Sequence, residues 1–170
     1  MNIDTIEIVT RLAAALLLGM SLGVERAIAG KTAGVRTHAL VAMGSALFII
    51  TGLIALGANS SIERTYIESI RIIVAIISGI GFLGAGLFIF KDSNVGGMTT
   101  AAGIWVAAGV GMTVGYGLYT IAIITTLFTL LIFTLFWYVE SKVKALGYHL
   151  HRDGLLHKDN DAEKEEPLQL

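Results

Sequence analysis

The sequence has no cysteine, which excludes disulfides, thiolate metal sites and cysteine nucleophiles and leaves the redox compartment open. Charge is scarce as well. Asp, Glu, Lys and Arg make up 15% of the 170 residues, against about 25% in an ordinary soluble domain. The net charge is −1 and the pI near 6.4, so no polycationic surface exists and no nucleic-acid partner is expected. These four residue types are missing entirely from 39–62, 72–90 and 93–139. The last of these runs is long enough for two membrane spans at ~20 residues each.

What is present is apolar: 55% of the residues, with a mean hydropathy of +0.76. The chain reads as an all-α integral membrane protein in the lipid bilayer, a bundle of five transmembrane helices packed through small residues. Hydropathy places the helices at roughly 5–26, 39–58, 70–90, 98–114 and 117–139. The break inside the longest run falls at Gly115-Tyr116-Gly117, where paired glycines favour a turn. Asp4 and Glu7 against Arg11 are the wrong charge balance for a signal peptide, and Glu25 and Arg26 separate Ala27-Ile28-Ala29 from the apolar run. The first helix is therefore read as retained.

Loop charge sets the expected orientation. With the N-terminus outside, Arg26, Lys31, Arg36, Lys91, Lys142 and Lys144 fall inside, against Arg11, Arg64 and Arg71 outside. The expected topology is N-terminus out, C-terminus in. Residues 1–148 then form the transmembrane domain and 149–170 a polar, acid-rich cytoplasmic tail, expected to be disordered. It carries the only proline, Pro167, and His149, His151 and His157 at no recognisable metal spacing.

The run SGIGFLGAG, Ser78–Gly86, contains G-x-G-x-x-G, the spacing of a dinucleotide-binding turn. That turn needs a strand before it, a helix after it and an acidic residue about 20 positions on. Here the motif lies inside an uncharged run, and Gly103 and Ile104 occupy the acid's place, so the nucleotide reading fails. In lipid, helices associate by close backbone approach at small residues. Ala15, Gly19, Gly23 and Ala27 on the first helix, and Gly103, Ala107, Gly111 and Gly115 on the fourth, repeat at four-residue spacing. Ser78, Gly79, Gly81, Gly84 and Gly86 are either a helix-packing face or an unwound segment lining a water cavity. Ridges of this kind, if exposed, would also drive self-association, most simply as a homodimer.

Polar residues gather at the inner face. Glu25 and Arg26 end the first helix, Arg36, Thr37 and His38 precede the second, and Asp92, Asn94, Thr99 and Thr100 lie between the third and fourth. They are expected to form one polar cluster. Arg26, Lys31 and Lys91 are first of all positive-inside anchors, and Thr99 and Thr100 are candidate helix caps. Glu25 faces the wrong end of a helix dipole and needs a cation: Arg26, Arg36 or a metal ion. On the outer side Glu68 and Arg71, three apart, are expected to pair. Trp105, Trp137 and Tyr138 fit lipid-facing or interfacial positions.

The stretches GVER (Gly23–Arg26), AGVRTHALVAMGSALF (Ala33–Phe48), RIIVAIISGIGFLGAG (Arg71–Gly86) and VGGMTTAAGIWVAAGVGMTVGYG (Val95–Gly117) resemble the MgtC/SapB family of bacterial inner-membrane proteins. The resemblance implies a five-helix membrane domain with a cytoplasmic C-terminus. It also implies a role in low-magnesium and acid-stress adaptation and, in pathogens, in virulence. The implied activity is regulatory and not enzymatic, by binding membrane proteins such as the membrane sector of ATP synthase. A small-ion channel or transporter, with Mg2+ held by Glu25 and Asp92, is the alternative; no other cofactor is implied. Many relatives have glutamine where this chain has Ala75. Longer ones carry an ACT-like domain after the fifth helix, and regulation through such a domain is not expected here.

Overall fold

The computed structural model describes residues 3–57, 61–87, 89–91 and 94–135. The first helix, α1 (Thr5–Ile28), starts where the Asp4 carboxylate accepts the Thr5 N–H at 2.7 Å, with Glu7 in the first turn at the positive end of the helix dipole. A short loop with Gly30 at φ 65° leads to α2 (Val35–Leu56), which ends at Gly57 in a left-handed conformation, φ 64°.

The third helix, α3 (Ile62–Ala85), begins eight residues earlier than hydropathy suggests. The Ser61 hydroxyl accepts the Arg64 N–H at 3.2 Å and Glu63 sits in the first turn, so a capped, charged turn precedes the apolar run. It also ends sooner, at Ala85. Residues expected in its last turn instead form β1 (Ile89–Lys91), which pairs antiparallel with β2 (Asn94–Gly96), Phe90 opposite Val95. The described residues are thus helical with one added antiparallel strand pair. The fourth helix, α4 (Met98–Gly115), and α5 (Tyr119–Leu135) flank the expected turn, where Gly117 adopts φ 80°.

Among the described residues there are five helices, and α1 to α4 are long and apolar enough to cross a membrane. Residues Met1–Leu131 form one compact unit; of the second, Ile132–Leu170, the described part is the last turn of α5. The tail with its histidines, Trp137, Tyr138, Asp92 and residues 136–139, expected in the fifth helix, lie outside the described residues.

Within the first unit α2 lies against both α1 and α4. The small-residue ridges explain how. A Cβ added at Gly19 would stand 2.6 Å from the His38 carbonyl oxygen and 2.8 Å from the Ala42 methyl. One added at Gly23 would stand 2.5 Å from the Val35 Cα. On α4, a Cβ at Gly111 would meet the Ala42 carbonyl carbon at 2.7 Å, and one at Gly115 the Ile49 Cβ at 2.8 Å. Gly19, Gly23, Gly111 and Gly115 thus meet α2 inside the chain, and Ala15, Gly103 and Ala107 are buried with them, whereas Ala27, the last step of the first ridge, is exposed. The packed positions are not the exposed faces on which self-association was expected to rest. In contrast α3 buries only Ile76, Ile80 and Gly84, and Phe82 on it is 81% exposed.

Candidate functional site

At one end of the first unit, the close of α1, the α1–α2 loop and the starts of α2 and α4 come together. Glu25 does not reach for Arg36. It pairs with its chain neighbour, Arg26 Nε to Glu25 Oε2 at 2.5 Å and Nη2 to Oε1 at 3.0 Å. This two-pronged pair neutralises a guanidinium that is only 2% exposed. Arg26 is thus a buried structural cation and not a solvent-facing anchor. Arg36 and Thr37 are exposed.

His38 is fully buried in the first turn of α2. Its Nδ1 lies 3.0 Å from the Gly34 carbonyl oxygen, so Nδ1–H donates and Nε2 is left as a bare acceptor with no partner among the described residues. Glu25 and Arg26 lie near enough for their charges to act on its ring. The structure thus places His38 near the Glu25–Arg26 pair, with Arg26 and His38 buried and Glu25 partly exposed.

Thr99 and Thr100 form a second group, and neither caps α4. The cap is Gly97 in a left-handed conformation, φ 92°, with no side-chain acceptor. Thr99 is exposed and Thr100 is 4% exposed. With Lys31 and Thr32 of the α1–α2 loop they line a polar cavity of about 230 Å3. Asn94 lies in β2 opposite Lys91. No trio of His, Asp and Glu is grouped as a metal-ligand set among the described residues. On α3, Arg71 Nη1 meets Glu68 Oε1 at 2.9 Å, an i,i+3 pair near the surface.

The glycine motif is helical. α3 runs unbroken through Gly79, Gly81 and Gly84, so the unwound reading is corrected. Nor is most of the motif packed. A Cβ on Gly79 or Gly81 would meet nothing within 4 Å; one on Gly86 would meet only the carbonyl oxygens of Leu83 and Phe82 before it, and one on Gly84 would lie 3.7 Å from the Ala101 methyl of α4. Gly79 instead borders an apolar groove of about 740 Å3 between α2 and α3, together with Gly44, Gly52 and Ala75. Gly44 is equally open.

Sequence reasoning passed over Arg11. It is 5% exposed, donates Nη1 to the Gly115 carbonyl at 2.6 Å, and pairs with Glu7 one turn earlier. A cation at the negative end of α4 is favourable, and the guanidinium lies against the Gly117 turn. A signal existed: Arg11 extends the spacing Ala15, Gly19, Gly23 by one step, which puts it on the buried stripe.

Glycine-ridged apolar helices of spanning length, with buried charge confined to their ends, define a multi-pass membrane protein. The chain belongs to the MgtC family, whose model matches residues 12–142. It is 38% identical over 146 residues to YhiD of Escherichia coli (strain K12), provisionally named a magnesium transporter, covering 86% of this chain and 68% of that protein. Identity is 40% over 129 residues to SrpB of Synechococcus elongatus, covering 71% and 70%. To MgtC of Salmonella typhimurium it is 41% over 122 residues, covering 72% of this chain and 49% of that one. The match thus spans about half the length of that MgtC. No solved structure matches the chain.

Proposed function

We propose that this chain is a non-enzymatic regulator of the bacterial inner membrane that works by binding another membrane protein along its α2–α3 face. The observation behind this is the groove of about 740 Å3, bordered by Gly44 and Gly79, where added side-chain atoms would meet open space. In lipid, a face of small residues is where a second helix can approach closely. The other two ridges are already used within the chain, which leaves this one for a partner. The partner is a transmembrane helix of another protein, and the membrane sector of ATP synthase is the first to test. Low-magnesium and acid-stress adaptation is the physiological setting, with the N-terminus outside and the C-terminus inside.

The absence of native cysteine makes the test clean. Single cysteines replacing Gly44 and Ala75, both on the groove, and Ala13, exposed on α1, are cross-linked in native membranes. The expected result is an adduct with an ATP synthase membrane subunit from the two groove positions and not from Ala13. Adducts to lipid alone, or the same proteins from all three, would remove the proposal. An adduct of twice the chain's mass from Ala75→Cys would instead make the groove a homodimer interface.

The alternative, a channel or transporter for a small ion such as Mg2+, is favoured by the name of the Escherichia coli relative. Mg2+ keeps several waters and binds through one or two carboxylates. Glu25 is the described acid at the polar end, and Arg26 already holds it. Flux into vesicles containing the purified chain, lost in Glu25→Gln, would favour transport over regulation.

A further inference from the structure

Independently of the groove, His38 stands where a proton and the contact between α1 and α2 compete. Its ring is 0% exposed. The Gly34 carbonyl receives both its backbone N–H, at 3.2 Å, and its Nδ1–H, at 3.0 Å. That bond keeps a proton on Nδ1 and the lone pair on Nε2. Two buried side-chain atoms have no partner among the described residues, His38 Nε2 and Arg11 Nε. The arginine is otherwise engaged, through Gly115 and Glu7, and its charge is fixed. The imidazole is the one of the two that can change charge near neutral pH.

The surroundings leave that change little room. The Gly19 and Gly23 approaches bring the backbone of α1 directly onto His38 and Val35, with no side chain between them to yield. The charged groups that act on the ring come from the end of α1: Arg26, itself buried, and Glu25, which Arg26 already engages. Lys31 in the α1–α2 loop and Arg36 on α2 are exposed. The helices α4 and α5 carry no Asp, Glu, Lys, Arg or His, and α3 has none after Arg71. A proton added at Nε2 would therefore create an N–H without an acceptor among the described residues, and a second cation near Arg26. Burying a charge without a partner is costly.

We propose that His38 is a proton-operated latch: uptake of one proton at Nε2 parts the end of α1 from the start of α2 and lets water reach the ring. The proton comes from that water and returns to it when the contact closes. One proton separates the two forms, so the ratio of open to closed rises by at most about tenfold for each pH unit lowered. The rise falls below about pH 6.5, where a solvated imidazole takes up its proton.

The test uses the full chain in lipid nanodiscs. A nitroxide is attached at Lys31→Cys, exposed in the α1–α2 loop, and in a separate sample at Ala13→Cys, exposed on α1. Electron paramagnetic resonance reads the mobile and immobile fractions from about pH 7.5 down to about pH 5.5, the range of imidazole titration. The mobile fraction at Lys31→Cys is expected to grow as the pH falls, by up to about tenfold per unit, while Ala13→Cys stays constant. His38→Asn places a side-chain nitrogen where Nδ1 stands and has no Nε2, so it is expected to remain closed throughout. A fraction that ignores pH, or that moves equally in His38→Asn or at Ala13→Cys, overturns the proposal. Should His38→Asn fail to fold, replacing His149, His151 and His157 by glutamine leaves His38 as the only imidazole. Its ring nitrogen-15 signals and the mobile fraction must then share one midpoint; separate midpoints overturn the latch.

Discussion

Two glycine-to-alanine substitutions, each adding a single methyl group in mid-helix, are expected to act in opposite directions. At Gly111 the new Cβ would lie 2.7 Å from the Ala42 carbonyl carbon and 2.8 Å from its Cα. Carbon atoms prefer about 3.5–4.0 Å, so α4 must move off α2 by roughly 1 Å. The obstructing atoms are helix backbone, which cannot rotate away as a side chain would. At Gly81 the same methyl meets nothing within 4 Å. Both substitutions gain the intrinsic helix preference of alanine, about 1 kcal/mol, and this term cancels in the comparison. What remains is the overpacking term, about 1–3 kcal/mol. Gly111→Ala should therefore be less stable than Gly81→Ala by about that amount, with Gly81→Ala equal to or above the parent. Unfolding by SDS in mixed micelles, followed by tryptophan fluorescence, measures the difference. Equal stabilities, or a greater loss at Gly81, would refute the assignment of the α4 ridge to α2 and of Gly81 to an open face.

Arg11→Leu should lose about 1–3 kcal/mol in the same assay, through its bond to the Gly115 carbonyl. The orphaned Glu7 is 45% exposed and can stay solvated, so the larger penalty of stranding a buried charge is not expected. Glu25→Gln, by contrast, withdraws a carboxylate from the buried Arg26 and should cost more than Glu68→Gln, whose pair with Arg71 is exposed and worth about 0–1 kcal/mol. Ser61→Ala should destabilise the start of α3 by about 1 kcal/mol. Hydrogen exchange would show faster amide exchange at 62–66 with little change beyond Arg71; a uniform change along α3 would contradict the capping role.

Much of the bundle could be read from the sequence because lipid leaves few options for a backbone. Uncharged runs marked the spans, and Gly115-Tyr116-Gly117 marked the turn. What hydropathy misplaced were helix ends that carry charge. The first turns of α3 hold Glu63, Arg64, Glu68 and Arg71, and only the Ser61 cap reveals them as helical. The four-residue spacing identified both packing ridges but not their common partner, because a ridge does not name the groove that receives it. The same limit applied to Glu25: its need for a cation followed from the helix dipole, whereas the choice of Arg26 over Arg36 depended on how the α1–α2 loop folds. Thr100 looked like a cap because threonine favours that role. The structure gives the position to Gly97 and places Thr100 at the edge of a cavity that no local pattern contains.

The bond from Arg11 to Gly115 spans 104 positions of the chain. A ribosome adding 5–20 residues per second needs about 5–20 s to pass from one to the other. Throughout that interval α1 is already made while the carbonyl that will receive its arginine does not yet exist. The contact that ties the start of α1 to the end of α4 can therefore form only once nearly all of the described bundle has been synthesised.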